Sequence, residues 1–414
     1  MGSEIVGEDV RELVVGPASA GAAVVGSSGS RWAKVGLLSA GHVLADGYCM
    51  IVTPLLAYMA IRLGVSKQEA SNLFTAVALG ASISQIGWGY LCDRFNGRWI
   101  LILSPTVASV VVAIGWTNHY WVIMGLILLA GAGTAAFHPV SGVLAGRLVE
   151  PHGAVGLSVF LGAGMIGVGA FPVIVTQLVA VTDLANIWPL ALPGPVLSVL
   201  FWRAFGREMV ATDRGPAGRF SLMEAFRGRR RSVVLLFLTA MTRAFPISAY
   251  QVAMSFMVAE RFGRIEMSGY ILGLFSGALG VGGVIGSVLS SRLDERKLLI
   301  GSLAAGVPAA FVFSFAPGYW VLAGAGLAGA VMGSTVPLAI SMGQRLVPRG
   351  AQVFTGMMMG LSWGVGGVLA PQIVTPLMDS LGYSGSTFVC SLSLVVAVAA
   401  AIALPRNGGR ATAG

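Results

Sequence analysis

The sequence predicts an all-α membrane protein of twelve transmembrane helices in two pseudo-symmetric six-helix bundles. The first observation behind this prediction is composition: 56% of the residues are hydrophobic and only 10% are charged, whereas soluble domains carry about 25% charged residues. The second is an internal repeat. Residues 129–139 resemble 327–337, and residues 93–98 resemble 291–296, both at a separation of 198 residues.

The hydrophobic stretches are long enough to be membrane spans. A span needs about 20 apolar residues, because the hydrocarbon core is about 30 Å thick and a helix rises about 1.5 Å per residue. Lipid offers backbone groups no hydrogen-bond partner, so these stretches are expected to be helical. The predicted spans are 34–60, 69–92, 98–116, 119–146, 154–181, 186–205, 232–260, 267–290, 298–315, 319–344, 352–378 and 383–404.

Basic residues predict the orientation of these spans. If the spans alternate, most Lys and Arg residues fall on one side of the membrane, which the positive-inside rule makes cytoplasmic, together with both termini. The net charge of +9 is then a property of topology and does not indicate a nucleic-acid partner. The predicted organisation is a disordered cytoplasmic tail at 1–33, an N-terminal bundle at 34–206, a basic cytoplasmic linker at 207–231, a C-terminal bundle at 232–405 and a cytoplasmic tail at 406–414.

The ionisable residues inside the predicted spans are the candidates for chemistry. They are His42, Asp46, His138 and Arg243. A charge at mid-membrane costs about 3 kcal/mol or more, so such residues usually face a cavity or a partner. His42 and Asp46 lie one turn apart on one helix face and are predicted to handle protons, unless His42 only holds the Asp46 rotamer. His138 precedes Pro139, which removes a backbone donor and is predicted to break the helix in mid-span. It is predicted to line the same cavity, the alternative being a hydrogen bond between helices.

Arg243 stands near the start of the seventh span, the repeat equivalent of the first. Because a guanidinium suits carboxylate and phosphonate groups, Arg243 is predicted to attract the anionic group of a substrate. Alternatively, it forms a buried ion pair with Asp46 that only fixes how the two halves dock. Tyr250 and Gln251, on the same span, complete the predicted substrate site.

The segment between the second and third spans resembles the cytoplasmic loop signature of the major facilitator superfamily. The residues that carry the resemblance are Gly89, Asp93, Arg94, Gly97 and Arg98, with Asn96 as one residue more than the family pattern has. The resemblance implies a cytoplasmic gate, in which Asp93 accepts hydrogen bonds from a neighbouring helix N-terminus or arginine. The second copy has Ser291 in place of the acid, so its latch is expected to be weaker.

A finer resemblance is to the fosmidomycin-resistance branch of that superfamily. It rests on Ser-x-x-His-x-x-x-Asp at 39–46, Phe-His-Pro at 137–139 and His-Gly at 152–153. The resemblance implies proton-driven efflux of small polar or anionic compounds across a bacterial inner (plasma) membrane, fosmidomycin itself being a phosphonate. Val140 stands where the resemblance would place an acidic residue, and Leu161 and Met165 replace the polar residues expected in the fifth span.

The sequence therefore predicts a monomeric secondary transporter that exports a small anionic or amphipathic compound in exchange for protons by alternating access. The expected partners are the small-molecule substrate, protons and the lipid bilayer, with no nucleic acid, cofactor or resident metal. Two alternatives share the features above: a proton-coupled importer of a metabolite, and a transition-metal carrier using His42, His138, Cys49 and methionines. A non-transporting sensor is less favoured. An enzyme is not expected, because no nucleophile and base accompany a cofactor loop.

Overall fold

The computed structural model describes residues 28–94, 97–206, 226, 228–347 and 357–405. These residues are almost entirely helical. Ten helical stretches among them are long and apolar enough to cross a membrane. Most of the predicted N-terminal tail, most of the predicted linker and the tail at 406–414 lie outside the described residues, and the first helix begins at Ser28.

The N-terminal half consists of long helices with short interruptions. Its α-helices are α1 Ser28–Cys49, α2 Leu56–Leu63, α3 Lys67–Ala78, α4 Ser84–Arg94, α5 Gly97–Ser109, α6 Tyr120–Arg147, α7 Gly153–Val181 and α8 Pro193–Phe205. Turns of 3-10 helix cover Thr53–Leu55, Val110–Trp116 and Leu184–Ala191, and a π-helical turn covers Leu79–Ile83.

The C-terminal half follows the same plan. Its α-helices are α9 Arg230–Phe262, α10 Ile265–Ser290, α11 Glu295–Phe315, α12 Trp320–Leu346, α13 Ser362–Ser391 and α14 Ser393–Ala403. A π-helical turn, Met357–Leu361, precedes α13.

The difference between ten recognised stretches and twelve predicted spans has two sources. Met358–Ala403 counts as one stretch of 46 residues, and a straight helix of that length would measure about 69 Å. The backbone breaks inside it at Gly382, whose φ of 67° suits glycine, so it divides into the two last predicted spans. The second predicted span is helical as α3 and α4, but it is not among the ten. Polar residues in its middle, such as Ser82, Ser84 and Gln85, lower its hydropathy.

Small residues allow the helices to pack closely. Between α10 and α12, a Cβ atom added at Gly282 or Gly333 would collide with a backbone carbonyl of the other helix, that of Ala330 or Leu279. Lipid supplies no hydrophobic drive between helices, so this backbone proximity is a main source of their association.

The two halves meet through α7 against α10 and through α3 against α13. We call the end of the bundle at which α8 ends and α9 begins the linker end, and the opposite end the distal end. Hydrogen bonds between the halves cluster at the distal end. They join Lys67 to Asp379 (2.7 Å), Ser71 to Thr375 (2.9 Å), Asn72 to Gln372 (2.8 Å) and Gln177 to Tyr270 (2.7 Å). The described structure is therefore closed at its distal end.

Ser255 of α9 stabilises the backbone at the point where the first span is interrupted, between α1 and α2. Pro54 lies between α1 and α2 and has no N–H group to continue the helix. The fully buried Ser255 hydroxyl donates to the Pro54 carbonyl oxygen and accepts from the Ala57 N–H, both at 3.2 Å. One side chain of the C-terminal half thus satisfies two backbone groups of the N-terminal half.

Ser255→Ala should shift the protein away from the closed distal arrangement. The variant leaves two buried backbone groups unpaired, and one such group costs about 1–3 kcal/mol, so the ratio of closed to open molecules should fall roughly tenfold or more. Electron paramagnetic resonance distances between spin labels at Ile61 and Arg264, exposed distal positions in different halves, would measure this. Thr239→Val is the control, because its buried hydroxyl bonds to Leu235 of its own helix. An unchanged distance distribution in Ser255→Ala would contradict the role given to this residue.

Candidate functional site

Three residues predicted from the sequence meet at one point between α1 and α6. His42 Nε2 lies 3.2 Å from Asp46 Oδ2, and His138 Nε2 lies 3.3 Å from Asp46 Oδ1. The ligand atoms of all three side chains lie within 4.8 Å of one another. The cluster is therefore compact enough to accommodate one small cation.

The backbone of α7 fixes the protonation of His42. His42 Nδ1 lies 2.7 Å from the Phe160 carbonyl oxygen, and a carbonyl oxygen can only accept, so Nδ1 carries a hydrogen. The rings of His42 and Phe160 also stack, with centroids 4.1 Å apart and planes at 16°. Both contacts hold the imidazole in one orientation.

This orientation has a consequence for the bond to Asp46. A neutral imidazole carries one hydrogen, and in His42 that hydrogen is on Nδ1. The Nε2 lone pair would then face an ionised carboxylate oxygen at 3.2 Å, which places two acceptors against each other. The contact is attractive only if His42 is an imidazolium or Asp46 is a carboxylic acid. In either form the pair holds one proton more than a neutral imidazole beside a carboxylate.

The cluster is sealed on one side and accessible on the other. Only 6% of the His42 side chain is exposed, against 21% for both Asp46 and His138. A Cβ atom at Gly164 of α7 would lie 2.5 Å from Asp46 Oδ2 and 2.7 Å from the His42 ring, so a side chain there would displace one or both of them. The accessible side of the cluster is therefore the side of Asp46 and His138.

Pro139 does not interrupt α6 beside this cluster. The helix continues from Tyr120 to Arg147 through the proline, although the sequence predicted a break at this point. Proline is tolerated in membrane helices when neighbouring groups satisfy the freed backbone. His138 therefore reaches Asp46 from a continuous helix.

Arg243 lies apart from this cluster, on α9. It is only 2% exposed, and its guanidinium lies over the Trp363 ring at 5.6 Å from the centroid. Its Nε and Nη1 atoms have no hydrogen-bond partner among the described residues. A buried guanidinium with unpaired N–H groups is costly unless an anion compensates it.

The ion pair between Arg243 and Asp46 is absent from the described part of the chain. There, the charged partners of Asp46 are His42 and His138. The alternative in which Arg243 serves only to dock the halves through Asp46 has no support in this conformation.

Trp363 was not predicted as a site residue, although the sequence carries a signal for it. Tryptophan in membrane proteins is enriched at the two interfaces, whereas Trp363 lies in the middle of the predicted span 352–378. An aromatic ring at that depth offers its face to a cation such as Arg243.

The other two predicted substrate residues lie elsewhere on α9. Tyr250 is fully buried in the core of the C-terminal half, with its ring 6.0 Å from Phe275 and 4.8 Å from Phe313. Gln251 is 8% exposed. The structure does not bring Tyr250 to the histidine cluster, and the substrate roles of Tyr250 and Gln251 stay predictions.

The predicted gate is only partly described. The side chains of Asp93 and Arg94 lie outside the described residues, so the latch stays a prediction. Gly97 packs on α6, where an added Cβ would lie 3.0 Å from Val140 Cγ2, and Arg98 lies over the Trp99 ring at 4.8 Å. A Cβ added at Gly89 would meet open space.

Comparison with known proteins places the chain in a family. Residues 38–371 match the family described as Major Facilitator Superfamily. The fosmidomycin resistance protein of Escherichia coli (strain K12) is 20% identical over 358 residues, which cover 85% of this chain and 88% of that protein.

Solved structures show the same fold. A bacterial homolog of the human lysosomal transporter Spinster, inward-facing and unoccupied, aligns with a TM-score of 0.77 at 15% identity, covering 91% of this chain and 97% of that one. The E. coli fucose:proton symporter FucP aligns with a TM-score of 0.61 at 16% identity, covering 91% and 100%. The family predicted from the loop signature is confirmed: the chain belongs to the major facilitator superfamily of membrane transporters.

Proposed function

We propose that this transporter exports a small anionic or amphipathic compound in exchange for protons, by alternating access across a bacterial inner membrane. The single observation that carries the proposal is the contact between His42 Nε2 and Asp46 Oδ2, which needs one bound proton. The resistance named for the E. coli relative supports export. The basic residues at the linker end support a cytoplasmic position for that end and an external position for the distal end.

Release of this proton changes contacts between helices. Once it leaves, the His42 lone pair and the Asp46 carboxylate repel each other, while the bond from Nδ1 to Phe160 still holds the imidazole in place. The carboxylate then turns towards His138, whose Nε2 is already 3.3 Å away. Because His42 and Asp46 belong to α1, His138 to α6 and Phe160 to α7, protonation alters how these three helices pack.

Arg243 is the residue that we propose binds the anionic group of the substrate. Its unpaired N–H groups match the oxygens of a carboxylate or phosphonate. The Trp363 ring beside it adds an apolar face, which suits a compound that is both anionic and amphipathic. An anion in this position would compensate the buried charge of the guanidinium.

Proton-coupled import is the second candidate, and the opposite charges of the proton and the anionic substrate favour it. A proton on the Asp46 pair and an anion at Arg243 have opposite signs, so each lowers the electrostatic cost of the other, which promotes their movement together. Export in exchange for protons requires instead that the bound substrate itself displaces the carboxylate or separates Phe160 from His42. Substrate-induced proton release from purified protein would support exchange, and proton uptake would support import. The transition-metal alternative stays a prediction that metal-dependent uptake would test.

Asp46→Asn should abolish pH-driven transport while preserving exchange of substrate for substrate. The amide keeps the shape of the side chain and can donate to His42 Nε2, so it imitates the protonated pair but cannot release a proton. Uptake of labelled fosmidomycin into inside-out proteoliposomes, driven by a pH gradient or by preloaded substrate, measures both activities. Asp294→Asn is the control, since asparagine replaces aspartate well as the cap of α11. Full pH-driven transport by Asp46→Asn would remove this residue from the mechanism.

Arg243→Ala should weaken substrate binding about 10-fold to 100-fold, in proportion to the loss of charge-assisted hydrogen bonds of about 1.5–3 kcal/mol. Arg243→Lys should be intermediate, because an ammonium keeps the charge but not the planar pair of donors. The concentration dependence of fosmidomycin transport gives the affinity. Arg264→Lys is the control, as this arginine is exposed and pairs with Glu266. Wild-type affinity in Arg243→Ala would mean that the anion is held elsewhere.

A further inference from the structure

A cavity lies at the distal end, away from the histidine cluster and Arg243. Its volume is about 310 Å³, which falls in the range of small-molecule sites, about 300–1,000 Å³. The N-terminal half contributes Lys67, at the start of α3, and the C-terminal half contributes the rest, chiefly Glu260 and Arg261 of α9 and Tyr383 of α13. Lys67 thus completes the wall of the cavity when the two halves are closed at this end.

Both signs of charge line this cavity. Lys67 Nζ bonds to Asp379 at 2.7 Å and lies 5.4 Å from the centroid of the Tyr383 ring. The Tyr383 hydroxyl interacts with both the Glu260 carboxylate and Lys67. The Arg261 guanidinium, which has five N–H groups, donates through Nη1 to the Ala316 carbonyl oxygen at 3.0 Å. Cationic and anionic groups therefore both lie next to one tyrosine.

The remaining wall is apolar. Met257, Met378 and Leu381 complete the lining, and methionine adapts its shape to irregular ligands. A ligand that matches this lining carries an acid for Lys67 and Arg261, an ammonium for Glu260 and the Tyr383 ring, and a short apolar body.

We propose that this distal cavity binds a small zwitterion with an apolar body, of the size of a free amino acid. The ligand bridges Lys67 of one half to Glu260 and Tyr383 of the other, so it stabilises the closed distal end by mass action and slows its opening. The site goes beyond the proposed function, because its lining residues are not among those assigned to the proton or the transported anion.

Calorimetric titration of the full-length protein in lipid nanodiscs with L-leucine tests the proposal. We expect saturable binding that is weakened roughly tenfold or more by Lys67→Gln and by Glu260→Gln, since each variant loses a charge-assisted contact. The analogues 4-methylpentanoate and 3-methylbutylamine, which lack the ammonium and the acid respectively, should bind weaker by a similar factor. Glu266→Gln is the matched control: it makes the same chemical change at the distal end, on a residue that pairs with Arg264 and does not line the cavity.

Three results would overturn the proposal: no saturable binding up to about 10 mM, equal affinity for leucine and both analogues, or the same affinity in Glu260→Gln as in Glu266→Gln. Arg243→Ala should bind leucine normally, which separates this site from the transport site whether or not the proposed function holds.

Nanodiscs of phosphatidylethanolamine and nanodiscs of phosphatidylglycerol distinguish the source of the zwitterion. Weaker leucine binding in phosphatidylethanolamine would identify the lipid headgroup as the occupant, and equal binding a soluble ligand.

Discussion

The hydrogen bond from His42 Nδ1 to the Phe160 carbonyl oxygen is the constraint from which the proposed mechanism follows. It fixes which ring nitrogen carries a hydrogen, and thereby turns the Nε2 lone pair towards Asp46. Two acceptors at 3.2 Å need a proton between them, so the geometry of one helix backbone sets the protonation of a side-chain pair on another. Because His42 is buried, water does not easily replace a missing partner of its ring, and this dependence is stronger than at a protein surface.

Small residues of the bundle allow the helices to come close enough for this hydrogen bond to form. Gly164 allows α7 to approach the His42 and Asp46 side chains, and any Cβ atom there would occupy the space of the carboxylate. At the distal end, Ser255 stabilises an interrupted helix of the opposite half in the same way, by bonding to the Pro54 carbonyl oxygen and the Ala57 N–H where the helix is interrupted. Proton site and closed end therefore both rest on side chains or carbonyls supplied by a neighbouring helix.

Much of this architecture is predictable from the sequence, because lipid leaves an apolar stretch of about 20 residues few alternatives to a helix. The i, i+4 spacing likewise places His42 and Asp46 on one face. The Phe160 contact was not predictable, since it involves a backbone carbonyl 118 residues away. The position of Tyr250 was not predictable either. Residues 246–258 of α9 are all buried, so no exposed face distinguishes the side of α9 that lies towards the other half.

Nitrogen-15 NMR of histidine-labelled full-length protein tests the central claim most directly, together with carbon-13 labelling of the aspartate carboxyls. The chain has only 4 histidines, so His42→Asn assigns the His42 signals and Asp46→Asn the carboxyl signal. The account predicts a hydrogen on His42 Nδ1, and a second proton found either on Nε2 or on the Asp46 carboxyl. A His42 ring with its hydrogen on Nε2 alone, or a neutral ring beside an ionised Asp46 in the closed distal state, would contradict it.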